Sequence, residues 1–441
     1  MENKLAYKFT NKDLIKFAMP TVMMMVFMSL YTIVDGIFVS RLVGSNALSA
    51  INISLPVLNF IFAISIMFAT GGSAVIGKDM GEGFNEKAQK RFSLIILVNF
   101  IFGILMGILG CLFIDKIVIF LGASESLVKY TKDYLIIMFL FMPFNMIKVN
   151  FEYFLVTSGK PNVGLILTVL GGVTNMVLDY IFIGPLNMGI SGAGLATITG
   201  QSITVIISLF IFFNKKNTLY FRKPEWDFKM LVKSMTNGSS EMVTNLSAGI
   251  TTLFFNAAMM YYLGENGVAA ITVILYAQFL LTSIYIGFSS GVAPIISYKY
   301  GERDNEQLKI IVRYCIRFIC IVSILTFIVS YLISGNIVSA FVERNNPVYD
   351  IAKNGFDIFG ISFLFTGINT FASSMFTAFS DGKTSAIISF LRTFVFIIVG
   401  INILPRLLGV NGVWFTIPLA EILTIIISIF FIKKYKRKYH Y

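Results

Sequence analysis

Histidine and charge are scarce in this sequence. The only histidine, His440, is next to last in a chain of 441 residues, and 13% of the residues are charged, about half of the roughly 25% usual in soluble domains. Without a histidine inside the chain, neither a Ser-His or Cys-His nucleophile pair nor a histidine-based zinc site can be assembled. The sequence therefore excludes most hydrolytic chemistry, and we predict that the protein is not an enzyme.

Cysteine is also scarce. Cys111, Cys315 and Cys320 all fall inside or at the ends of apolar runs. Their odd number and their spacing provide neither a disulfide framework nor a metal site. The cysteines therefore predict no covalent crosslink and no cofactor.

Apolar residues, in contrast, make up 56% of the chain. They form runs that reach the roughly 20 residues needed to cross a bilayer. We predict an all-α membrane protein with twelve transmembrane helices, numbered 1 to 12 along the chain, at 14–40, 48–76, 92–114, 130–157, 162–184, 190–213, 234–262, 268–297, 308–333, 354–379, 385–405 and 412–432.

Lysine and arginine residues orient these helices, because cytoplasmic loops carry an excess of positive charge. They concentrate in alternate loops, including the N-terminus, the segment 214–229 and the tail 433–438. Both termini are therefore predicted to be cytoplasmic. The same pattern explains the net charge of +12 without a nucleic-acid partner, because the charges lie in short loops and not on a basic face of a soluble module.

An internal duplication relates the two halves of the chain. "VGSNALSAI" from Val43 corresponds to "LGENGVAAI" from Leu263, "GEGFNE" from Gly81 to "GERDNE" from Gly301, and "MGISG" from Met188 to "LGVNG" from Leu408, each pair 220 residues apart. We predict an N-terminal six-helix lobe (1–213), a cytoplasmic connector (214–229) and a C-terminal six-helix lobe (230–441). Because six is even, both lobes have the same orientation, the parallel repeat found in one class of secondary transporters.

A duplicated helical bundle with a central cleft is suited to alternating access. Neither half has a strand pattern, a GxxxxGK[ST] motif or a polar domain large enough to bind ATP. We therefore predict that an ion gradient drives the protein.

Four polar residues of the first half are predicted to lie together in its outer part. Asp35 is six residues before Arg41 at the predicted outer end of helix 1, Asp179 is five residues before the outer end of helix 5, and Thr197 is seven residues into helix 6. Asn175 shares a helix face with Asp179, one turn deeper. The alternative is that each acid only forms hydrogen bonds that help the helices to pack, or lies near enough to the membrane interface to be hydrated.

The chemistry of this set suits a cation. An acid in the middle of a lipid-facing helix costs roughly 2.5–3.5 kcal/mol, so a buried acid usually has a partner or a role. An all-oxygen set suits a hard cation such as sodium, and two close carboxylates raise the pKa of one of them, so that this group can carry a proton. We predict a coupling site for Na⁺ or H⁺ at Asp35, Asn175, Asp179 and Thr197.

The cleft between the lobes is predicted from residues on both sides. Glu241 near the inner end of helix 7 and Glu421 in helix 12 could each attract a cationic substrate or carry a second proton. The alternatives are that Glu241 lies at a solvent-exposed cytoplasmic helix end and that Glu421 is paired with Arg392. Basic residues are few within the spans, so we expect the cleft to prefer organic cations. Further candidates for the cleft, for which ordinary packing is the alternative, are Met24, Met28, Tyr31, Gln201 and Gln278.

Five stretches carry a resemblance to a known family. They are "YTIVDGIFVSRLVG" in helix 1, "GKDMGEGFNEKAQ" after helix 2, "NMVLDY" in helix 5, "GISGAGLAT" at the start of helix 6 and "SYKYGERDNEQLK" after helix 8. In this order, over nearly the whole chain, they resemble the multidrug and toxic compound extrusion (MATE) family.

The resemblance implies a cation-coupled antiporter with two six-helix lobes in a prokaryotic plasma membrane, working as a monomer. Members export amphipathic, mostly cationic drugs and dyes in exchange for sodium ions or protons. In the branch that this chain resembles, the helix 1, 5 and 6 residues matched by Asp35, Asn175, Asp179 and Thr197 form a cation site. Glu241 matches a helix 7 glutamate of another branch, but helix 10 here lacks the aspartate which that branch also uses.

Three other functions compete with drug export. A lipid-linked oligosaccharide flippase can share the two-lobe architecture, but its cleft would need arginine and lysine to bind an anionic pyrophosphate. A membrane-embedded enzyme would need a histidine, cysteine or metal constellation that the sequence lacks. A channel is disfavoured by the duplicated halves.

Overall fold

Nearly all of the chain is helical. The computed structural model describes residues 4–441 without the side chains at 36, 37, 40–42 and 45, so the side chain of Arg41 lies outside the description. The spans are α1 (Asn11–Leu42), α2 (Ser45–Gly81), α3 (Asn85–Leu112), α4 (Glu125–Leu140 continued by Met142–Thr157), α5 (Pro161–Ile183), α6 (Gly189–Phe213), α7 (228–263), α8 (265–302), α9 (Asn305–Leu332), α10 (Pro347–Ala378), α11 (Gly382–Leu408) and α12 (Val410–Tyr439). The short helices Lys4–Ala6, Ile114–Phe120 and Ser334–Ser339 lie outside these spans.

Two breaks decide the number of spans. Ten described helices are long and apolar enough to cross a membrane, and the two pieces of α4, bent by 60°, make an eleventh. One of the ten, Phe228–Glu302, has 75 residues, or about 110 Å, several times the thickness of the hydrocarbon core. It is divided into α7 and α8 at Gly264, whose positive φ of 63° favours glycine. The prediction of twelve helices is therefore confirmed for residues 4–441.

The bend in α4 has a local cause. Pro143 lies in the first turn of its second piece and has no N–H with which to continue the helical hydrogen bonds. On α3, a Cβ added at Gly103 would come within 2.6 Å of Pro143 Cα, and one added at Gly107 within 2.5 Å of Phe139 O. The glycines of α3 therefore make room for the bent helix.

The segment 214–227 connects α6 to α7 and is held by ion pairs. Arg91 of α3 contacts Asp79 of α2 at 2.6 Å and Asp227 at 2.9 Å. Asp227 also caps α7 by accepting the Met230 N–H at 2.9 Å. The hydrogen bond from the Met230 N–H, and after it the contact with Arg91, hold the pKa of Asp227 below its usual value. The stabilisation that the charged Asp227 provides is therefore present at neutral pH and is lost as the pH falls through the lowered pKa.

Replacing Arg91 by methionine should destabilise the protein by about 1–3 kcal/mol, because Asp79 is buried and would lose its nearest charged donor, keeping only Lys87 at 3.6 Å. The measurement is thermal unfolding of the purified protein in detergent. Lys90→Met is the matched control, since Lys90 pairs with Glu86 and Glu225 at the surface and should cost less than about 1 kcal/mol. Equal losses in both variants would contradict the role given to Arg91.

Close contacts between the lobes repeat the internal duplication. They pair Gly71 of α2 with Gly238 of α7 and Ala18 of α1 with Gly291 of α8, and then Gly81 with Tyr298 and Lys78 with Gly301. The 220-residue repeat relates the first two pairs to each other, because 71 corresponds to 291 and 18 to 238. It relates the last two pairs in the same way, because 81 corresponds to 301 and 78 to 298. The two lobes therefore meet along a pseudo-twofold axis.

All of these contacts lie at one end of the molecule. The hydrogen bonds between the lobes lie there too: the Phe9 N–H donates to Gln307 Oε1 at 3.0 Å, and Lys299 Nζ donates to Ala6 O at 3.0 Å. Among the described residues, the hydrogen bonds and close glycine contacts that join the lobes thus fall in the half that carries both termini.

Candidate functional site

Two close helix crossings assemble the first candidate site in the N-terminal lobe. At the crossing of α5 and α6, a Cβ added at Gly171 would lie 2.9 Å from Gly200 O. One turn further out, Asn175 Nδ2 donates to Thr197 Oγ1 at 3.3 Å, and Thr197 Oγ1 donates to Ala193 O at 3.0 Å. The predicted proximity of Asn175 and Thr197 is therefore present.

The second crossing brings α1 against α5. A Cβ added at Gly172 would lie 2.6 Å from the Phe27 ring and 3.7 Å from the Tyr31 ring, so only glycine lets α1 approach this closely. Further along the same face, the carboxyl groups of Asp35 and Asp179 lie close enough to interact directly. The structure thus brings the four predicted residues into one cluster, while their role in cation coupling stays a prediction.

This cluster has an excess of oxygen acceptors. Asn175 is 1% exposed and Asp179 0% exposed. In and next to this cluster, the buried oxygens that have no hydrogen-bond partner among the described residues are Asp35 Oδ1, Asn175 Oδ1, both carboxylate oxygens of Asp179 and Gln201 Oε1. Because a buried acceptor without a donor is costly, and a buried unpaired charge more so, the arrangement favours a proton or a hard cation between these oxygens.

The cluster contains no further charged ligand. No group of three or more His, Cys, Asp or Glu side chains that could hold a metal ion occurs in the part of the chain that the structure describes. The residues that could hold Na⁺ therefore combine two carboxylates with the neutral oxygens of Asn175 and Thr197.

Tyr134 of α4 belongs to this site and was missed by sequence reasoning. It is 7% exposed and lies within the electrostatic range of both Asp35 and Asp179. It packs in an apolar cluster with Val39, Ile183 and Ile198. Val39 and Ile183 each lie one helical turn beyond Asp35 and Asp179, towards the end opposite the termini. No sequence signal marked Tyr134, because it lies 45 residues from Asp179 on another helix.

A second candidate site is a cavity of about 350 Å³ in the C-terminal lobe. Glu241, Gln278, Arg392 and Glu421 line it together with several Ser and Thr side chains. Glu421 is 4% exposed and accepts from Arg392 Nε at 2.8 Å. The pairing considered as an alternative for Glu421 is therefore present, and the structure places Glu241 and Gln278 in the same cavity.

The other residues predicted for the cleft lie in the N-terminal lobe. Met24 is 2% exposed, and its sulfur lies 3.8 Å from a Cβ added at Gly164 of α5. Tyr31 lies beside Gly172 of the same helix, Met28 is half-buried on α1, and Gln201 lies one turn from Thr197 on α6. The predicted cleft residues are therefore divided between two places, with Met24 and Tyr31 on the α5 side of α1.

The fold and these sites define a class of protein. Two helical lobes span the membrane side by side, one enclosing acidic oxygens and the other a polar cavity, which is the arrangement of a two-lobe membrane transporter. The MatE family model matches residues 20–181 and again residues 242–401, once in each half of the duplication. The chain belongs to the MatE family, so both the family prediction and the prediction that the protein is a transporter and not an enzyme are confirmed.

Curated relatives match over almost their full length. A multidrug export protein MepA of Staphylococcus haemolyticus (strain JCSC1435) is 25% identical over 429 residues, covering 96% of this chain and 93% of the relative. A MepA of Staphylococcus aureus (strain MRSA252) is 24% identical over 436 residues, covering 96% of this chain and 94% of the relative.

A solved structure shares the fold. It is an outward-facing conformation of a multidrug resistance MATE family transporter of the MOP superfamily, with a TM-score of 0.92, 23% identity, and coverage of 98% of this chain and 97% of that one. The predicted fold of two helical lobes is confirmed.

Proposed function

We propose that this protein exports amphipathic, mostly cationic drugs across the cell membrane in exchange for sodium ions or protons, by alternating access. The observation that carries the proposal is the cluster of unpartnered buried oxygens around Asp35 and Asp179. The full-length similarity to multidrug export proteins MepA supports the substrate class. Sodium and proton coupling use the same oxygens, so both ions remain within the proposal.

The proposed coupling relies on a difference in affinity between two conformations. A coupling ion can shift an equilibrium only if it binds one state more tightly. Here the lobes are joined at the end that carries the termini, which we take as cytoplasmic. This state therefore faces outward, and a cation that enters from outside neutralises Asp35 and Asp179, repacks α1 against α5 and α6, and favours drug release.

The drug site is proposed in the cavity of the C-terminal lobe. Its volume of about 350 Å³ falls within the range of roughly 300–1,000 Å³ typical of small-molecule sites. Phe255, Phe279 and Ile286 provide apolar contact, while Thr and Ser hydroxyls and the carboxylate of Glu241 provide polar contact. This lining suits an amphipathic cation.

Charge pairing makes the flippase a weaker candidate. Three basic residues lie well inside the predicted spans. Lys148 is paired with Glu152 at 2.8 Å and Arg392 with Glu421 at 2.8 Å, while Arg317 is exposed on α9. An anionic pyrophosphate needs uncompensated basic side chains. The pairing of Lys148 and Arg392 therefore supports a cationic substrate.

Vesicles test this function directly. Purified protein in lipid vesicles should transport ethidium and a fluoroquinolone when a sodium or proton gradient is imposed in the direction opposite to the drug flux. This transport should stop when the gradient is collapsed. Protein-free vesicles with the same gradients are the control. Absence of movement of both compounds under both gradients would contradict the proposal.

A further inference from the structure

Glu421 is part of a fixed network at one wall of the C-terminal cavity. Arg392 Nε donates to Glu421 Oε1 at 2.8 Å, and Asn369 Nδ2 donates to Glu421 Oε2 at 2.7 Å. Ser428 Oγ in turn donates to Asn369 Oδ1 at 2.9 Å. Both carboxylate oxygens of Glu421 therefore have donors, and one of these donors carries a full positive charge.

The backbone at Arg392 is unusual. Residues Leu391–Val395 form a π-helical turn within α11. Such turns are rare and are frequent at functional sites. Arg392, the charged residue of this turn, is both a cavity-lining residue and the partner of Glu421.

Glu241 differs from Glu421 in having no partner. It lines the same cavity, and its carboxylate has neither a hydrogen bond nor an ion pair to another described residue within 4–441. It also borders a small gap beside Thr70 and Tyr153 of the N-terminal lobe. Arg392 lies near enough to Glu241 for the two charges to attract each other, but Arg392 is bonded to Glu421.

The charges of the cavity can therefore be counted. Glu421 and Arg392 neutralise each other, and the carboxyl group of Glu241 is left without an ion-pair partner among the described residues. We propose that the Arg392–Glu421 pair is a specificity-determining element: by holding Arg392 away from Glu241, Glu421 keeps Glu241 available to a cationic substrate. Glu421 is then a positioning residue, and neither a substrate ligand nor a coupling acid. This inference rests on the proposed function, from which its test is kept separate.

The test compares ethidium binding to purified variants in detergent, measured by fluorescence anisotropy without any gradient. Glu421→Gln should weaken binding about tenfold or more, because the released Arg392 becomes a buried cation and turns to Glu241. The double variant Arg392→Met/Glu421→Gln should bind within about threefold of the wild type, because the whole pair is removed and Glu241 is left alone.

The two proposals fail in different ways. If Glu421 itself holds the substrate, the double variant will bind as weakly as Glu421→Gln, and this result would overturn the inference. An affinity of Glu421→Gln equal to that of the wild type would overturn it as well. Should Glu421→Gln be recovered unfolded, Glu241→Gln and the double variant decide it, since neither leaves Arg392 without its partner. The first should lose binding and the second should keep it; binding retained by Glu241→Gln, or lost by the double variant, overturns the inference. Failure of the wild type to bind or move ethidium would contradict the proposed function instead.

Discussion

Replacing Asp179 by asparagine is expected to abolish gradient-driven export without damaging the fold. Asparagine has nearly the same shape, but it can neither take up a proton nor balance the charge of a sodium ion. We therefore expect the initial rate in vesicles to fall by at least about tenfold, which corresponds to about 1.4 kcal/mol. Asp35→Asn should give the same result, because its carboxyl group belongs to the same cluster and lies within electrostatic range of Asp179.

Thermal stability distinguishes loss of function from loss of folding in these variants. Asp179 is fully buried and its carboxylate oxygens have no donor among the described residues, so the neutral amide should leave stability unchanged or raise it. If sodium is the coupling ion, the wild type should melt higher in NaCl than in KCl, and Asp179→Asn should lose that difference. A proton-coupled protein should show no such difference.

Asp357→Asn serves as the matched control for Asp179→Asn. Asp357 also lies in a span, but it is paired with Lys353 at 3.1 Å near the start of α10, away from the cluster around Asp179. Its variant should transport at close to the wild-type rate. If Asp35→Asn and Asp179→Asn transported as well as this control under both gradients, the proposed ion site would be wrong.

The second large effect is expected at Gly238. A Cβ at this position would overlap the backbone of Met67 in α2, and one at Gly71 would lie 2.6 Å from Gly238 N. Gly238→Leu should therefore separate the lobes at the end that carries the termini. Overpacking costs about 1–3 kcal/mol, which corresponds to a shift of about 5- to 150-fold in a conformational equilibrium.

Spin labels can measure this shift. The three native cysteines are first replaced, and new cysteines are introduced at Glu86 in the N-terminal lobe and Arg303 in the C-terminal lobe. Both positions lie at the end that carries the termini. Gly238→Leu should shift the distribution of distances between the two labels to longer values. Gly249→Leu is the control on the same helix, because a Cβ there meets no atom within 4 Å. The same distribution in both variants would show that this glycine contact does not hold the lobes together.

Local patterns account for the parts of this protein that were predicted correctly. Twelve apolar runs are visible in the chain because a helix in a bilayer must satisfy its own backbone hydrogen bonds within one segment, and the duplication is visible as matching stretches 220 residues apart. Asp35 and Asp179 could be singled out for a similar reason, since an acid in such a segment is costly wherever it lies. Helix periodicity then placed Asn175 on the same face as Asp179.

Contacts between helices could not be predicted in this way. The sequence left two roles open for Glu421, and its pairing with Arg392, 29 residues away, depends on how α11 packs against α12. Tyr134 is an ordinary tyrosine until the packing of α4 in the N-terminal lobe places it within electrostatic range of Asp35. Nor did any local rule indicate that Gly71 faces Gly238, because a glycine in an apolar run looks the same whether it meets lipid or a second backbone.

The amino-acid sequence thus sufficed for the spans, the duplication and the presence of costly acids, because each can be recognised from composition, periodicity or repetition along the chain. The enclosure of Asp179, the neutralisation of Glu421 and the isolation of Glu241 required the folded molecule. These three properties are electrostatic, and the charge that a side chain experiences is set by its neighbours in space, which here come from helices far apart in the chain.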